Sequence, residues 1–309
     1  MREIRLFCPA SVANVSCGFD VLGFCLDPIG DEMIIRKTDK PGIKIIKIEG
    51  EDLSLETNKN VAGIAGLAFL KEYPSKNGFE IEIYKGIKAG SGIGSSAASS
   101  AGAVFGINEL LGKPFTNNEL IKFAMKGEEF ASGALHADNL APVLLGGFTL
   151  VRSIEPLDII RLPFPKKLFA SIIHPKIELK TSDSRSVLKE KVTLKKAIQQ
   201  SANLAALISG LYTDNYDLIS RSLVDVLIEP YRSALIPSFN ELKDSAKKNG
   251  ALGSGISGSG PSMFSLSKGR KTALLVANKM GNILKPLGVD FNTYVSKVNP
   301  IGIKIISSK

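Results

Sequence analysis

Apolar and polar residues alternate along residues 2–7, the period-two pattern of a strand with one buried face. β-Branched residues interleaved with charges predict two more strands, at 32–37 and 43–48. The period then lengthens: Val61, Ile64, Ala65, Ala68 and Phe69 fall at helical spacing and predict a helix over 60–72. FEIEIYK, residues 79–85, alternates again, with Ile81 and Ile83 on one face, and runs directly into a glycine-rich turn. Beyond that turn Ala97, Ala101, Val104, Ile107 and Leu111 recur at helical spacing, predicting a helix with a buried face that Gly112 and Pro114 stop. Thr116 and Glu119 make a capping-box pattern for a third helix through Leu120, Phe123, Ala124 and Ala131. A strand, GGFTLV, follows at 146–151.

Residues 154–167 carry three prolines and predict a connection between two domains, 1–160 and 161–309. After it LFASIIHP reads as a buried strand and TSDSRSVL, 181–188, as the start of a helix. Further helices are expected near 193–212, 215–228 and 270–285, with strands at SMFSLS and near 289–298 and 302–306. No internal repeat interrupts this order.

Composition narrows the class of molecule. A chain of 309 residues that is 44% hydrophobic is ample for one large domain or two ordinary ones. Its net charge of +9 allows anionic partners, but the lysines are scattered, as on a solvated basic surface. Three cysteines, Cys8, Cys17 and Cys25, have no zinc spacing and fit a reduced, cytoplasmic protein. The start MREIRLFCPA lacks a long apolar region, so no signal peptide is expected. No stretch reaches the uncharged apolar length of about 18 residues that a membrane helix needs.

The candidate chemistry centres on KGIKAGSGIGSS, residues 85–96. Glycines let a backbone approach an anion closely, and the first N–H groups of the following helix have no intrahelical partner. The helix dipole adds positive potential there, so the turn suits a phosphate, and Lys85 and Lys88 flank it. It is not a P-loop, because no GK[ST] follows, and Ser95 stands where a dinucleotide fingerprint needs its third glycine. A second run, Gly253, Gly255 and Gly258, does satisfy G-x-G-x-x-G, but Pro261 and a strand follow where a helix should begin.

Elsewhere, Asn14 and Asp20 belong to a polar segment within 8–27, where Asx-turns and caps are the ordinary work of such residues. Asn60 stands where an N-cap is expected. Glu128 and Glu129 lie late on a helix, opposing its dipole. His136, Asp138 and Asn139 fall within four residues, beside a proline turn. Arg185 and Arg232 offer guanidinium groups, which grip a carboxylate in a fork.

GSGIGSSAASSAG resembles the second motif of the GHMP kinases, the superfamily of galactokinase, homoserine kinase, mevalonate kinase and phosphomevalonate kinase. That pattern is Pro-x-x-x-Gly-Leu-Gly-Ser-Ser-Ala; here Gly86 or Ile87 replaces the proline and Ile93 the leucine, and neither change removes a phosphate-facing backbone group. Residues 9–23 hold every fixed position of P-A-S-x-A-N-x-x-x-G-F-D-x-x-G, a first motif similar to that of homoserine kinases. H-x-D-N-x-A-P at 136–142 and E-P-Y-R at 229–232 also match that group, and GISGSGPS resembles a third motif that folds against the nucleotide loop.

The resemblance covers nearly the whole chain and implies an α+β GHMP kinase two-domain fold. Its N-terminal ATP-binding domain would be like ribosomal protein S5 domain 2, and its C-terminal domain ferredoxin-like. It implies transfer of the ATP γ-phosphoryl group to the hydroxyl of L-homoserine, with Mg²⁺, giving O-phospho-L-homoserine for threonine biosynthesis. Gly86, Ile87, Lys88, Ala89, Gly90, Ser91, Gly92, Ile93, Gly94, Ser95 and Ser96 would hold the phosphates, with Asn60 facing the adenine. Ser96 and Glu128 would hold the metal; Glu128 is preferred to Glu129 because it lies eight residues before His136, as in the family. Asp20 would take the substrate ammonium, Asn14, Asn139 and Thr181 would line the substrate, and Arg185 and Arg232 would pair with its carboxylate. His136 and Asp138 would shape the loop that presents Asn139, with no side chain acting as an essential base. A homodimer is allowed; nucleic acid and membrane partners are not expected. Mevalonate or another small alcohol is the alternative substrate, disfavoured by Arg185, Arg232 and the full H-x-D-N-x-A-P. RNA binding would need a clustered basic face with exposed aromatics, and tryptophan is absent.

Overall fold

The computed structural model describes residues 1–177, 179 and 181–309. Strand β1 (Glu3–Val12) runs antiparallel to β2 (Leu22–Thr38), Ile4 facing Ile35 and Leu6 facing Met33. Strand β3 (Gly42–Glu49) is parallel to β4 (Gly78–Tyr84), which pairs antiparallel with β2. Strand β2 is far longer than the 32–37 expected. Its first residues, Leu22–Leu26, are buried on both faces, so the alternation that marks a half-buried strand is missing there.

Helices α1 (Val61–Glu72), α2 (Ser95–Leu110) and α3 (Asn117–Ser132) pack on one another, with α2 against β1 and β2. Every α2 residue except Ser96 is buried, which is what its run of alanine and glycine permits. The predicted capping box of α3 is present, Thr116 and Glu119 exchanging bonds. A short α4 (Leu140–Leu145) leads to β5 (Phe148–Ile154).

The proline-rich 154–167 is not simply a connection. Leu157–Leu162 forms β6, an antiparallel partner of β5, because the prolines flank its β-branched run without interrupting it. The N-terminal sheet therefore extends past residue 160, and the chain crosses over at 163–167. The second half has the antiparallel order β10 (Phe291–Val298), β7 (Leu168–Pro175), β9 (Met263–Lys268), β8 (Ala251–Ile256). Helix α10 (Arg270–Leu284) covers it with α9 (Phe239–Lys248). Strand β10 also reaches β2 at Lys297 and Asp27, joining the two sheets, and β11 (Lys304–Ser308) returns to the free edge of β1.

Between β7 and β8 lie α5 (Thr181–Ser186), α6 (Leu194–Tyr212), α7 (Tyr216–Ser222) and α8 (Glu229–Arg232). The helix expected to run to 228 ends at Ser222. The buried Asp225 carboxylate then accepts the N–H groups of Leu227, Ile228 and Glu229 and starts α8. Among the described residues no helix is long and apolar enough to cross a membrane.

Candidate active site

Three loops from distant parts of the chain meet at the N-terminus of α2 and line a cleft of about 910 Å³. They follow β1, β4 and β8. Across the cleft stand α5 and the segment 133–139.

After β1 the chain turns through left-handed backbone at Asn14, Ser16 and Asp20, with φ of 56°, 50° and 59°. Asn and Asp tolerate that region better than most residues. Asn14 fixes the turn: its Oδ1 accepts the Asp20 N–H at 2.7 Å and its Nδ2 donates to the Gly258 carbonyl at 2.7 Å. The sequence assigned Asn14 to substrate. It lines the cleft with one amide hydrogen left, but its first work is to bind two loops together.

The glycine loop packs on residues 257–262, as the third-motif resemblance implies. Gly92 has φ +81°, and a Cβ there would lie 2.6 Å from the Gly260 carbonyl oxygen and 2.7 Å from that of Ser257. Only glycine allows that approach. The Ser257 hydroxyl donates to the Gly92 carbonyl at 2.8 Å, and the Ser11 N–H donates to the Ile93 carbonyl at 3.1 Å. Among the described residues no protein acceptor meets the N–H groups of Gly92, Gly94, Ser95 or Ser96. These unpartnered donors, at the head of a 16-residue helix, have the geometry that suits an anion.

Part of the sequence assignment needs correcting here. The N–H groups of Gly86 and Ile87 both donate to the buried Asp31 carboxylate at 2.9 Å, so neither is free for a phosphate. Asn60 is not brought to the cleft wall either. It caps α1, accepting from the Ala62 N–H and donating to the Ser54 carbonyl. Lys88, Ala89, Gly90, Ser91, Gly92, Gly94, Ser95 and Ser96 do line the cleft; the Ile93 side chain turns into the core.

Ser96, the one α2 residue not buried, faces Glu128 on α3. Glu128 is 7% exposed and its Oε1 has no hydrogen-bond partner. Burial pushes its carboxyl up to about 7, against a lowering by the Ser96 hydroxyl and the charge of Lys85. Glu129 instead points outward and pairs with Lys126 at 2.9 Å. An orphaned buried carboxylate oxygen beside a hydroxyl and an anion site fits a hard cation carried in by phosphates. No cluster of three or more metal-ligating side chains occurs among the described residues.

At the other end of the cleft Arg185 donates through Nη2 to both oxygens of Asp20 at 2.9 Å and to His136 Nε2 at 2.6 Å. His136 Nδ1 lies 2.9 Å from the Leu135 carbonyl, which can only accept. Nδ1 is thus placed to donate to that carbonyl, and Nε2 to accept from Arg185. Arg232 is 2% exposed; it donates to the carbonyls of Ser184 and Gly258 and stacks over Phe19, which also lies under Arg185. Burial and the charge of Arg185 bring its guanidinium down to about 10, still cationic at neutral pH. Asn139 accepts the Ser11 hydroxyl at 2.8 Å, and Thr181 lies 3.4 Å from the Ser259 hydroxyl. Burial, then the charge of Asp20, raises Asp138 to about 6, with His136 opposing.

Residues 59–147 match the N-terminal domain of the GHMP kinases, and residues 194–285 their C-terminal domain. Full-length relatives include the homoserine kinases of Chlorobium phaeobacteroides, 44% identical over 99% of this chain and 100% of the other, and of Chlorobaculum tepidum, 44% identical over 100% and 99%. The chain belongs to the homoserine kinase branch of the GHMP kinase family. The crystal structure of homoserine kinase from Cytophaga hutchinsonii superposes with a TM-score of 0.96 at 45% identity, covering 99% of this chain and 98% of that one. The α+β fold of the GHMP kinases is thus present throughout.

In this GHMP kinase the sequence reading missed Asp31, Phe19 and Ser11. Asp31 had a signal: it falls in phase with Met33 and Ile35, so strict alternation puts a carboxylate on the buried face of β2. Phe19 had none, since the two guanidinium groups above it come from Arg185 and Arg232, more than 160 residues away.

Proposed function

We propose that this GHMP kinase transfers the γ-phosphoryl group of ATP to the side-chain hydroxyl of L-homoserine. The observation that carries the reading is one cleft with free N–H donors at one end and Asp20, Arg185 and Arg232 at the other. The phosphates would lie on the N–H groups of Gly92, Gly94, Ser95 and Ser96. An amino acid brings its own two charges. Its carboxylate would take Arg185 and Arg232, its ammonium Asp20, so the internal Asp20–Arg185 pair exchanges for two external ones. Mevalonate has a carboxylate but no ammonium and would leave Asp20 without a partner.

Glu128 and Ser96 are the residues we assign to Mg²⁺, which when bound would neutralise charge on the phosphate oxygens. Asn139 Nδ2 would hold the accepting hydroxyl. A loose transition state gains little from early proton removal, so we assign no essential base. Asp138 is the second reading, favoured by its raised pKa of about 6 and its position on the cleft. We divide the chain at 163–167, with β11 returned to the N-terminal unit, and assign a cytosolic location from three buried, unpaired cysteines. The test is ADP release with L-homoserine, mevalonate and galactose as acceptors. Turnover with mevalonate and none with homoserine would sink the assignment. An acid limb in kcat that vanishes in Asp138→Asn, with homoserine binding intact, would make Asp138 the base.

A further inference from the structure

Lys85 stands beside the glycine loop, lines the cleft and looks like a phosphate-binding lysine. Its bonds say otherwise. An ammonium has three hydrogens. Here one goes to Asp31 Oδ2, one to the Ser95 carbonyl at 3.1 Å and one to the Ser99 hydroxyl at 3.1 Å. The other oxygen of Asp31 takes the N–H groups of Gly86 and Ile87, and the Ser95 hydroxyl reaches back to the Ile87 carbonyl at 3.0 Å. The beginning of the loop (85–87) and its end (95–99) are therefore tied at one point. Both side chains of the pair are essentially inaccessible, at 1% and 0%.

A buried ion pair is weak evidence for stability, because desolvation offsets most of the attraction. What this pair supplies is geometry. Between its two tie points the loop holds its free N–H groups in fixed directions, and donors aligned before binding cost nothing to reorganise when charge arrives. We propose that Asp31 and Lys85 form a clamp that positions the nucleotide loop, with Asp31 as a positioning residue and Lys85 contributing no bond to phosphate. This rests on the reading of the loop as the ATP phosphate site.

Binding of ADP and of adenosine is compared by calorimetry in the parent, Asp31→Asn, Lys85→Met and the double variant, together with the KM for homoserine. Each variant is expected to lose ADP affinity by about tenfold or more, the size of a lost charge-assisted bond. The double variant is expected to lose no more than either single one, since the two residues act as a unit. Adenosine binding and the KM for homoserine stay as in the parent. If Asp31→Asn keeps ADP affinity while Lys85→Met loses it, Lys85 is a phosphate ligand and the clamp is refuted. Equal losses for adenosine, ADP and homoserine would mean a merely structural pair and refute it too. Amide hydrogen exchange of residues 86–96 without nucleotide separates the clamp from the reading beneath it. Faster exchange in both single variants supports the clamp even if the parent fails to bind ADP, and unchanged exchange overturns it.

Discussion

Glu128 carries the sharpest consequence at the scale of single residues. Its carboxyl titrates at about 7, against an ordinary 4.5, chiefly because it is buried. Between those values the native protein holds a proton that the unfolded chain has released, so this group's contribution to stability falls as pH rises through the window. Glu128→Gln is therefore expected to stabilise the metal-free protein at pH 8 by about 3 kcal/mol and to change little at pH 5, as read from denaturant midpoints. The same substitution is expected to abolish turnover at ordinary Mg²⁺, while Glu129→Gln, whose side chain is solvated beside Lys126, keeps it. The two arginines divide differently. Arg185 is about a third exposed, so Arg185→Met is expected to raise the KM for homoserine, leave that for ATP and hardly move the melting point. Arg232 also braces Ser184 and Gly258, so Arg232→Leu should do the same to KM and lower the melting point as well. At this scale the sequence picked out nearly every charged group on the cleft, because ionisable residues inside motifs stand out. It did not reveal which of their partners were other protein groups. Asn60 and the Gly86 and Ile87 amides look available for ligand until the fold brings Ser54 and Asp31 against them.

Among the elements, the glycine loop shows how a single Cβ separates two kinds of cost. Gly90 and Gly92 both have positive φ, but a Cβ on Gly90 meets nothing within 4 Å while one on Gly92 strikes two backbone carbonyls. Gly90→Ala is expected to cost only the left-handed penalty of about 1–2 kcal/mol. Gly92→Ala must force the loop away from residues 257–262, and both the melting temperature and the KM for ATP should report it. Elements with a regular period were legible: α1, α2, α3, α6 and α10 lie within a residue or two of their expected places. The failures share a cause. Strand β6 hid between prolines, the first five residues of β2 are buried on both faces, and α7 stops where the Asp225 side chain gathers the N–H groups that begin α8. Local pattern records burial on one face, and these segments are governed by something else.

Over the whole molecule, the pairing of β2 with β10 and of β1 with β11 had no local signal, because each joins segments more than 260 residues apart. The resemblance implied the two-domain plan, which strand periodicity alone would not have assembled. Strand β11 covers the outer edge of β1, setting Ser308 opposite Ile4 and Ile305 opposite Leu6. Removing residues 304–309 is expected to lower the melting temperature and to promote association through the bared edge, measurable by light scattering. The same arrangement has a consequence in time. Strand β1 is synthesised nearly 300 residues before its neighbour β11. At ribosomal speeds of about 5–20 residues per second, β1 waits about 15–60 s for β11. For that interval the half that carries the nucleotide loop is exposed along one side, and a chain stalled before Lys304 never closes it. The aggregation hazard of this protein thus belongs to its unfinished copies, and any cellular factor that slows translation between β1 and β11 would lengthen the exposure.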